Sequence, residues 1–179
     1  MNLLSNNLFD TSSYYAIKTP IHSEERLCSI LKALIETNYI GTYKPMIFVP
    51  LYERIISNKP FISAKRALFP GSIFIENETA KIIFDVIKRY PEILVHVQKF
   101  IPLSGTDIST ISTLYKKRGQ LDILTANFDK NGRILVNGFL NDIPHTITKV
   151  HKHNRYLCAQ IPFLKKNFNV YFSFHFAIR

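Results

Sequence analysis

Tryptophan is absent from this chain, cysteine occurs twice and glycine six times in 179 residues. Cys28 and Cys158 lie too far apart for a redox or zinc spacing, so they read as small buried hydrophobes kept reduced. No apolar run approaches the ~18 residues that a membrane-spanning helix requires. Met1 to Asp10 lacks a basic stretch followed by an apolar core, which argues against a secretory signal. These absences lead us to expect a cytoplasmic protein with no membrane part. Catalytic signatures are missing too: no phosphate-binding glycine loop, dinucleotide-binding glycine pattern or nucleophile elbow occurs. His151, His153 and Cys158 are a poor metal set, because zinc wants four ligands and these fall on opposite strand faces or in a turn. Glu24 and Glu25 are adjacent, so on a helix they point apart and suit the helix dipole rather than acid–base work. The expectation is a protein with no enzymatic activity, metal or cofactor.

Acidic side chains are also scarce. Thirteen Asp and Glu stand against 23 Lys and Arg, a net charge of +10 with a pI near 9.6. The imbalance is concentrated at one end, where Asp142 is the last acid. From Pro144 onward Lys149, Lys152, Arg155, Lys165, Lys166 and Arg179 meet no acid at all, and His145, His151, His153 and His175 lie among them. Such a stretch is either a solvated basic face or a phosphate-binding one, and the lack of acids favours the second.

What is abundant is core material: 14 Phe, 9 Tyr and 46% hydrophobic residues, a globular composition sized for one or two small domains. Tyr14 to Lys18 reads as a first strand. Ser23 can cap a helix carrying Leu27, Ile30, Leu31, Leu34 and Ile35 on one stripe. Tyr43 to Pro50 reads as extended. Leu51 to Ile56 and Phe61 to Ala64 flank the turn Ser57-Asn58-Lys59-Pro60, making a β-hairpin with Lys59, Lys65 and Arg66 on a basic edge. Then comes Leu68-Phe69-Pro70-Gly71-Ser72-Ile73-Phe74-Ile75-Glu76, a Pro-Gly pair in front of an apolar run. Proline cannot donate to a ladder and glycine tolerates unusual backbone, so a bend feeding a buried strand is expected. Thr79 is a candidate cap for a second helix with Ile83, Val86, Ile87 and Tyr90, closed by Pro91. Ile93 to Phe100 reads as a strand broken by Pro102, and a third helix runs through Ile108, Ile111, Leu114 and Tyr115.

Beyond Lys116 the periodicity changes to five short β-like runs: Leu121 to Thr125, Arg133 to Val136, Ile143 to Val150, Tyr156 to Ile161 and Phe168 to Phe172. The fold class predicted is α+β, a sheet packed with helices followed by a small β-barrel. The predicted organisation is a first domain over 1–115, a linker over 116–128 and a barrel over 129–179.

The order Tyr14-Tyr15-Ala16-Ile17, Ser23-Glu24-Glu25, Pro45-Met46, Leu68-Phe69-Pro70-Gly71-Ser72-Ile73-Phe74-Ile75 and Pro102-Leu103-Ser104 resembles the N-terminal domain of NusG-type transcription elongation factors. Asn137-Gly138-Phe139-Leu140 and Ile147 to Tyr156 are similar to the KOW module that follows it, most like specialised LoaP-type paralogues. Tyr14 stands where that family usually has Trp, and Asn141 where the KOW loop commonly has Gly. The resemblance implies a monomeric, non-catalytic factor that docks on the clamp helices of the largest RNA polymerase subunit, beside the non-template DNA strand. It implies polymerase contacts at Ile17, Phe69, Pro70, Phe74 and Val95, with Phe69 the exposed one and Phe74 divided between core and contact. Nucleic-acid contacts would come from Lys59, Lys65 and Arg66, and from Lys149, Lys152, His153 and Arg155 around one turn, extended by Lys165 and Lys166. The nascent RNA, in hairpin form, is the implied partner of the second domain. A KOW domain that recruits Rho or a ribosomal protein stays open, as does a free-standing RNA-binding protein. A helical fold switch of the second domain is disfavoured by its Phe, Tyr, Val and Ile content.

Overall fold

The computed structural model describes residues 12–39, 44–58 and 61–177. Tyr43 lies outside them, as do Lys59 and Pro60, the second half of the expected turn Ser57 to Pro60. The chain divides into two compact units, one of residues 1–49 and 69–108, the other of 50–68 and 109–179.

The first unit is built on an antiparallel four-stranded sheet of β1 (Tyr14–Lys18), β2 (Ile47–Phe48), β5 (Ser72–Glu76) and β6 (Lys99–Pro102), in the order β2-β5-β1-β6. Tyr15, Ala16 and Ile17 are all buried, as are Ile73, Phe74 and Ile75, so the two central strands are covered on both faces. That is why they read as continuous apolar runs rather than as alternation. Helices α1 (Glu24–Asn38) and α2 (Asn77–Arg89) pack against this sheet and against each other. α1 buries Leu27, Leu31 and Ile35, and α2 buries Ala80, Ile83, Phe84, Val86 and Ile87. Their last turns meet where Asn38 Nδ2 lies 3.4 Å from the Tyr90 hydroxyl.

Two local readings of this unit need correction. α2 starts at Asn77, before Thr79, and Glu76 holds the capping position in extended backbone. Its carboxylate accepts from Thr79 Oγ1 at 3.2 Å and from the Met46 amide at 3.3 Å, joining helix start to β2. Pro91–His96 is a 3₁₀ turn, not the expected strand, and the strand begins only at Lys99. Pro91 at the first helical position has the fixed φ that a helical turn needs and no amide to leave unsatisfied. Pro102 ends β6 without breaking the sheet, because β6 is an edge strand and a missing donor there costs little.

The second unit contains the β-hairpin of β3 (Leu51–Asn58) and β4 (Phe61–Ala67), with β7 (Gln120–Leu121) added parallel to β3. It also holds a five-stranded half-barrel of β8 (Leu124–Phe128), β9 (Ile134–Asn137), β10 (Thr146–His151), β11 (Tyr156–Phe163) and β12 (Lys166–Phe176), ordered β10-β11-β12-β8-β9. β12 is long enough to pair antiparallel with β11 along its first part and parallel with β8 at its end. α3 (Thr106–Lys116) spans the division between the units in sequence. The hairpin was expected in the first domain, yet its contacts lie in the second unit. The Ile55 amide donates to Ser173 Oγ at 2.9 Å, and Tyr52 packs edge-on against Phe172 with ring centres 5.1 Å apart. Residues 116–128, expected as a linker, carry β7 and β8. Asn137-Gly138 leads into a 3₁₀ turn, Phe139–Asp142, and glycine suits position 138 because φ is +133 there, a backbone conformation that side chains rarely adopt.

Candidate docking face and candidate nucleic-acid interface

In the first unit the Pro70-Gly71 bend is fixed from both sides. Gly71 has φ +71, and a Cβ there would lie 2.9 Å from the Thr19 carbonyl oxygen, so only glycine fits without backbone movement. Its carbonyl accepts from the Thr19 amide at 3.1 Å, and its amide donates to Glu24 Oε1 at 2.5 Å. Glu24 is 4% exposed. The first residue of α1 thus serves the bend rather than only the helix dipole, while Ser23, at the capping position, makes no side-chain capping bond.

Phe69 was expected to be pushed out by Pro70. It is instead 0% exposed, its ring meeting Phe74 edge-on at 5.8 Å, and Phe74 also neighbours Phe48 at 6.0 Å. The proline turns the backbone and sends the phenyl group inward, where an aromatic cluster rewards it. Ile17 and Phe74 are equally buried. Of the five residues implied as polymerase contacts, only Pro70 and Val95 reach solvent, Val95 at 75%.

Two neighbours that the sequence did not single out complete this face. Ile21 is 62% exposed, and its Cγ1 lies 3.6 Å from where a Gly71 Cβ would stand. A small cleft between the start of α1 and the 3₁₀ turn is lined by Ser23, Arg26, Leu27, Ile30 and His96. The alternation signal could not have found Ile21, because it stands in a turn. Burial pushes the Cys28 thiol pKa up, so it stays protonated and unreactive.

In the second unit the exposed cations do not form one patch. Lys152, His153 and Arg155 share the turn between β10 and β11 and are all exposed. Lys152 Nζ stands 4.2 Å from the centre of the Phe128 ring, and the Arg155 guanidinium 5.6 Å from that of Phe176. Those two rings are 5.9 Å apart, so both cations sit over one aromatic pair. Arg155 takes φ +52 to get there, and its carbonyl accepts from the Phe174 amide at 2.9 Å. Lys149 is exposed on β10 just before this turn. Lys165 and Lys166 do not extend the cluster. They lie past the other end of the eight-residue β11, which spans roughly 26 Å of extended chain.

On the hairpin, Lys65 and Arg66 are exposed, and Lys65 Nζ lies 3.4 Å from Gln120 Oε1. Lys59 falls outside the described residues. Asp142, the last acid of the sequence, is paired with Lys117 at 2.9 Å. Burial pushes the Tyr52 phenol pKa up, so it remains neutral beside Arg54 and Arg66. Among the described residues no cluster of three or more His, Cys, Asp or Glu is placed to hold a metal ion, and no helix is long and apolar enough to cross a membrane.

A four-stranded antiparallel sheet covered by two helices, followed by a five-stranded half-barrel, defines an α+β fold of NusG type. The particular likeness is to NusG of Thermotoga maritima, in a structure of its domain interaction, with a TM-score of 0.54 and 16% identity over 90% of this chain and 93% of that one. At that identity the likeness establishes the fold alone. Two structures of the MjSpt4:Spt5 complex, both 13% identical, align more weakly. Conformation B has a TM-score of 0.34 over 88% of this chain and 90% of that one. Conformation A has a TM-score of 0.33 over 90% and 99%. Neither score is high enough to carry an argument. No known family pattern and no curated protein matches the sequence.

Proposed function

We propose that this chain is a specialised, non-catalytic transcription elongation factor or antiterminator. Its first unit docks on the clamp helices of RNA polymerase beside the non-template DNA strand, and its second unit contacts nascent RNA. The observation that carries the reading is the NusG-like fold across 90% of the chain. The sequence run that marks the resemblance is the same one that the fold locks around Gly71. Pro70, Ile21, Val95 and the cleft with Arg26 and Ile30 make a mixed apolar and cationic surface suited to an amphipathic helical partner. The acid-free basic turn favours RNA over a protein partner for the second unit, since a protein-recruiting face needs an apolar centre.

Binding of the full chain to purified RNA polymerase tests the first part. Val95→Asp with Ile21→Asp is expected to weaken it about tenfold or more, because buried apolar anchors dominate such contacts. Failure of the unaltered chain to bind polymerase would sink the polymerase reading. For RNA, affinity is expected to fall steeply with salt and with Lys152→Glu plus Arg155→Glu. Unchanged affinity in that double variant removes the basic turn from the proposal.

A further inference from the structure

The half-barrel carries a second set of rings on the outer face of its sheet. Along β11, Leu157, Ala159, Ile161 and Phe163 face the core, which turns Tyr156 to the opposite face. Tyr156 is the cross-strand partner of His151, and their rings stack at 4.2 Å with 25° between planes. Tyr156 also meets Tyr171 of β12 edge-on, with centres 6.0 Å apart. Over Tyr171 lies the guanidinium of Arg54, at 5.8 Å. His151, Tyr156, Tyr171 and Arg54 thus form one continuous row. Tyr171 is 43% exposed, a large ring held at the surface when neighbouring positions on the strand are buried.

The exposed Lys149 borders this row. Lys149 pairs with Cys158, the residue that also pairs with Tyr171, so it stands two strands over from the ring, roughly 10 Å away. Rings with exposed faces bordered by cations are what a single strand needs, since every base offers a π-face and every linkage a phosphate. A duplex cannot use the rings, because its bases are already stacked on one another. The Arg54 guanidinium, 5.8 Å from the centre of the Tyr171 ring, sets a further cation beside that ring, and a guanidinium can also stack on a base.

We propose that this face binds unpaired bases of a single-stranded nucleic acid, with one base on Tyr171 and a flanking phosphate on Lys149. The proposal rests on the nucleic-acid reading of the second unit and narrows it from a structured RNA hairpin to an unpaired strand.

The test uses the full chain and fluorescence anisotropy with a labelled single-stranded oligonucleotide of about twelve residues, within the ~4–16 that such folds occupy. A duplex of equal length and a deoxyribose version of the single strand are run beside it. Tyr171→Ala is expected to weaken single-strand binding by about 5- to 150-fold, as loss of one stacked base does. Duplex binding should stay within about twofold on the same reasoning. Tyr171→Phe should retain single-strand binding. Tyr171→Leu, which keeps apolar bulk without a π-face, should not, and it stands in if the alanine variant loses its thermal unfolding transition. Equal loss for single strand and duplex, or no loss in Tyr171→Ala and Tyr171→Leu, overturns the platform. If Lys152→Glu plus Arg155→Glu still weakens both ligands in that case, the wider reading survives without it. If that pair changes neither ligand, the wider reading fails as well. A deoxyribose strand bound as tightly as the ribose one supports the platform and adds displaced DNA to its ligands.

Discussion

Two tight turns in this molecule reach positive φ by opposite means. The Pro70-Gly71 bend uses glycine, and a carboxylate that is 4% exposed closes a hydrogen bond onto it. The turn between β10 and β11 uses an arginine at φ +52, exposed and held over a phenyl ring. In the first, backbone geometry is relieved of strain and serves the core. In the second, an L-residue is kept where it costs about 1–2 kcal/mol. Strain of this kind persists where the side chain it positions has a task. The bend is therefore a framework element with the exposed Pro70 and Ile21 beside it, and the basic turn holds an exposed arginine in strained backbone.

The largest effect that would break this contrast is at Phe69. If it belongs to the framework, Phe69→Ala should destabilise the protein by about 3–5 kcal/mol, as deletion of a buried phenyl group does. Denaturant unfolding measures this. A loss under about 1 kcal/mol would return Phe69 to the surface role first expected of it, since exposed substitutions rarely exceed that size. Next in size is Gly71→Ala, expected to cost about 2 kcal/mol or more, combining the left-handed backbone penalty with the approach to the Thr19 carbonyl. Glu24→Gln should be milder than Glu24→Ala, because its amide oxygen can still accept from the Gly71 amide. A Gly71→Ala variant with an unchanged unfolding midpoint would mean that the bend moves freely.

Much of the fold was legible because burial leaves a periodic trace. The helical stripe of Leu27, Leu31 and Ile35 marks α1, and the Pro-Gly pair before Ser72 to Glu76 marks the bend and β5. The misses have physical causes. Ile93 to Phe100 has strand composition, but Pro91 and local i to i+3 hydrogen bonding win over propensity across Pro91–His96. Phe69 was misjudged because sequence shows that a proline redirects the backbone without showing which way the neighbouring side chain turns. The placement of the β-hairpin was hidden for another reason. Its contacts to Ser173 and Phe172 join residues more than a hundred positions apart, and no local pattern encodes them. The cations of the basic turn were readable as a charge run. The rings beneath them were not, because Phe128 and Phe176 reach Lys152 and Arg155 only through strand pairing.

The smallest expected effect on stability comes from Arg155→Gly, and it sharpens the comparison most. Glycine relieves the left-handed strain, a gain of about 1 kcal/mol. Loss of the guanidinium over Phe176 removes about 0.5–1 kcal/mol at an exposed site. The two nearly cancel, so the unfolding midpoint should barely move. RNA affinity should nevertheless drop, and its dependence on salt should become shallower by about one phosphate contact. Gly71→Ala should show the reverse pattern, a large change in stability with RNA affinity retained under conditions where the protein stays folded. If Arg155→Gly instead destabilises the protein as strongly as Gly71→Ala, the arginine holds the turn together and the strain there has a structural cause. A stability change near zero with weakened RNA binding fits an arginine whose strain is offset by its ring contact and whose side chain is kept for binding.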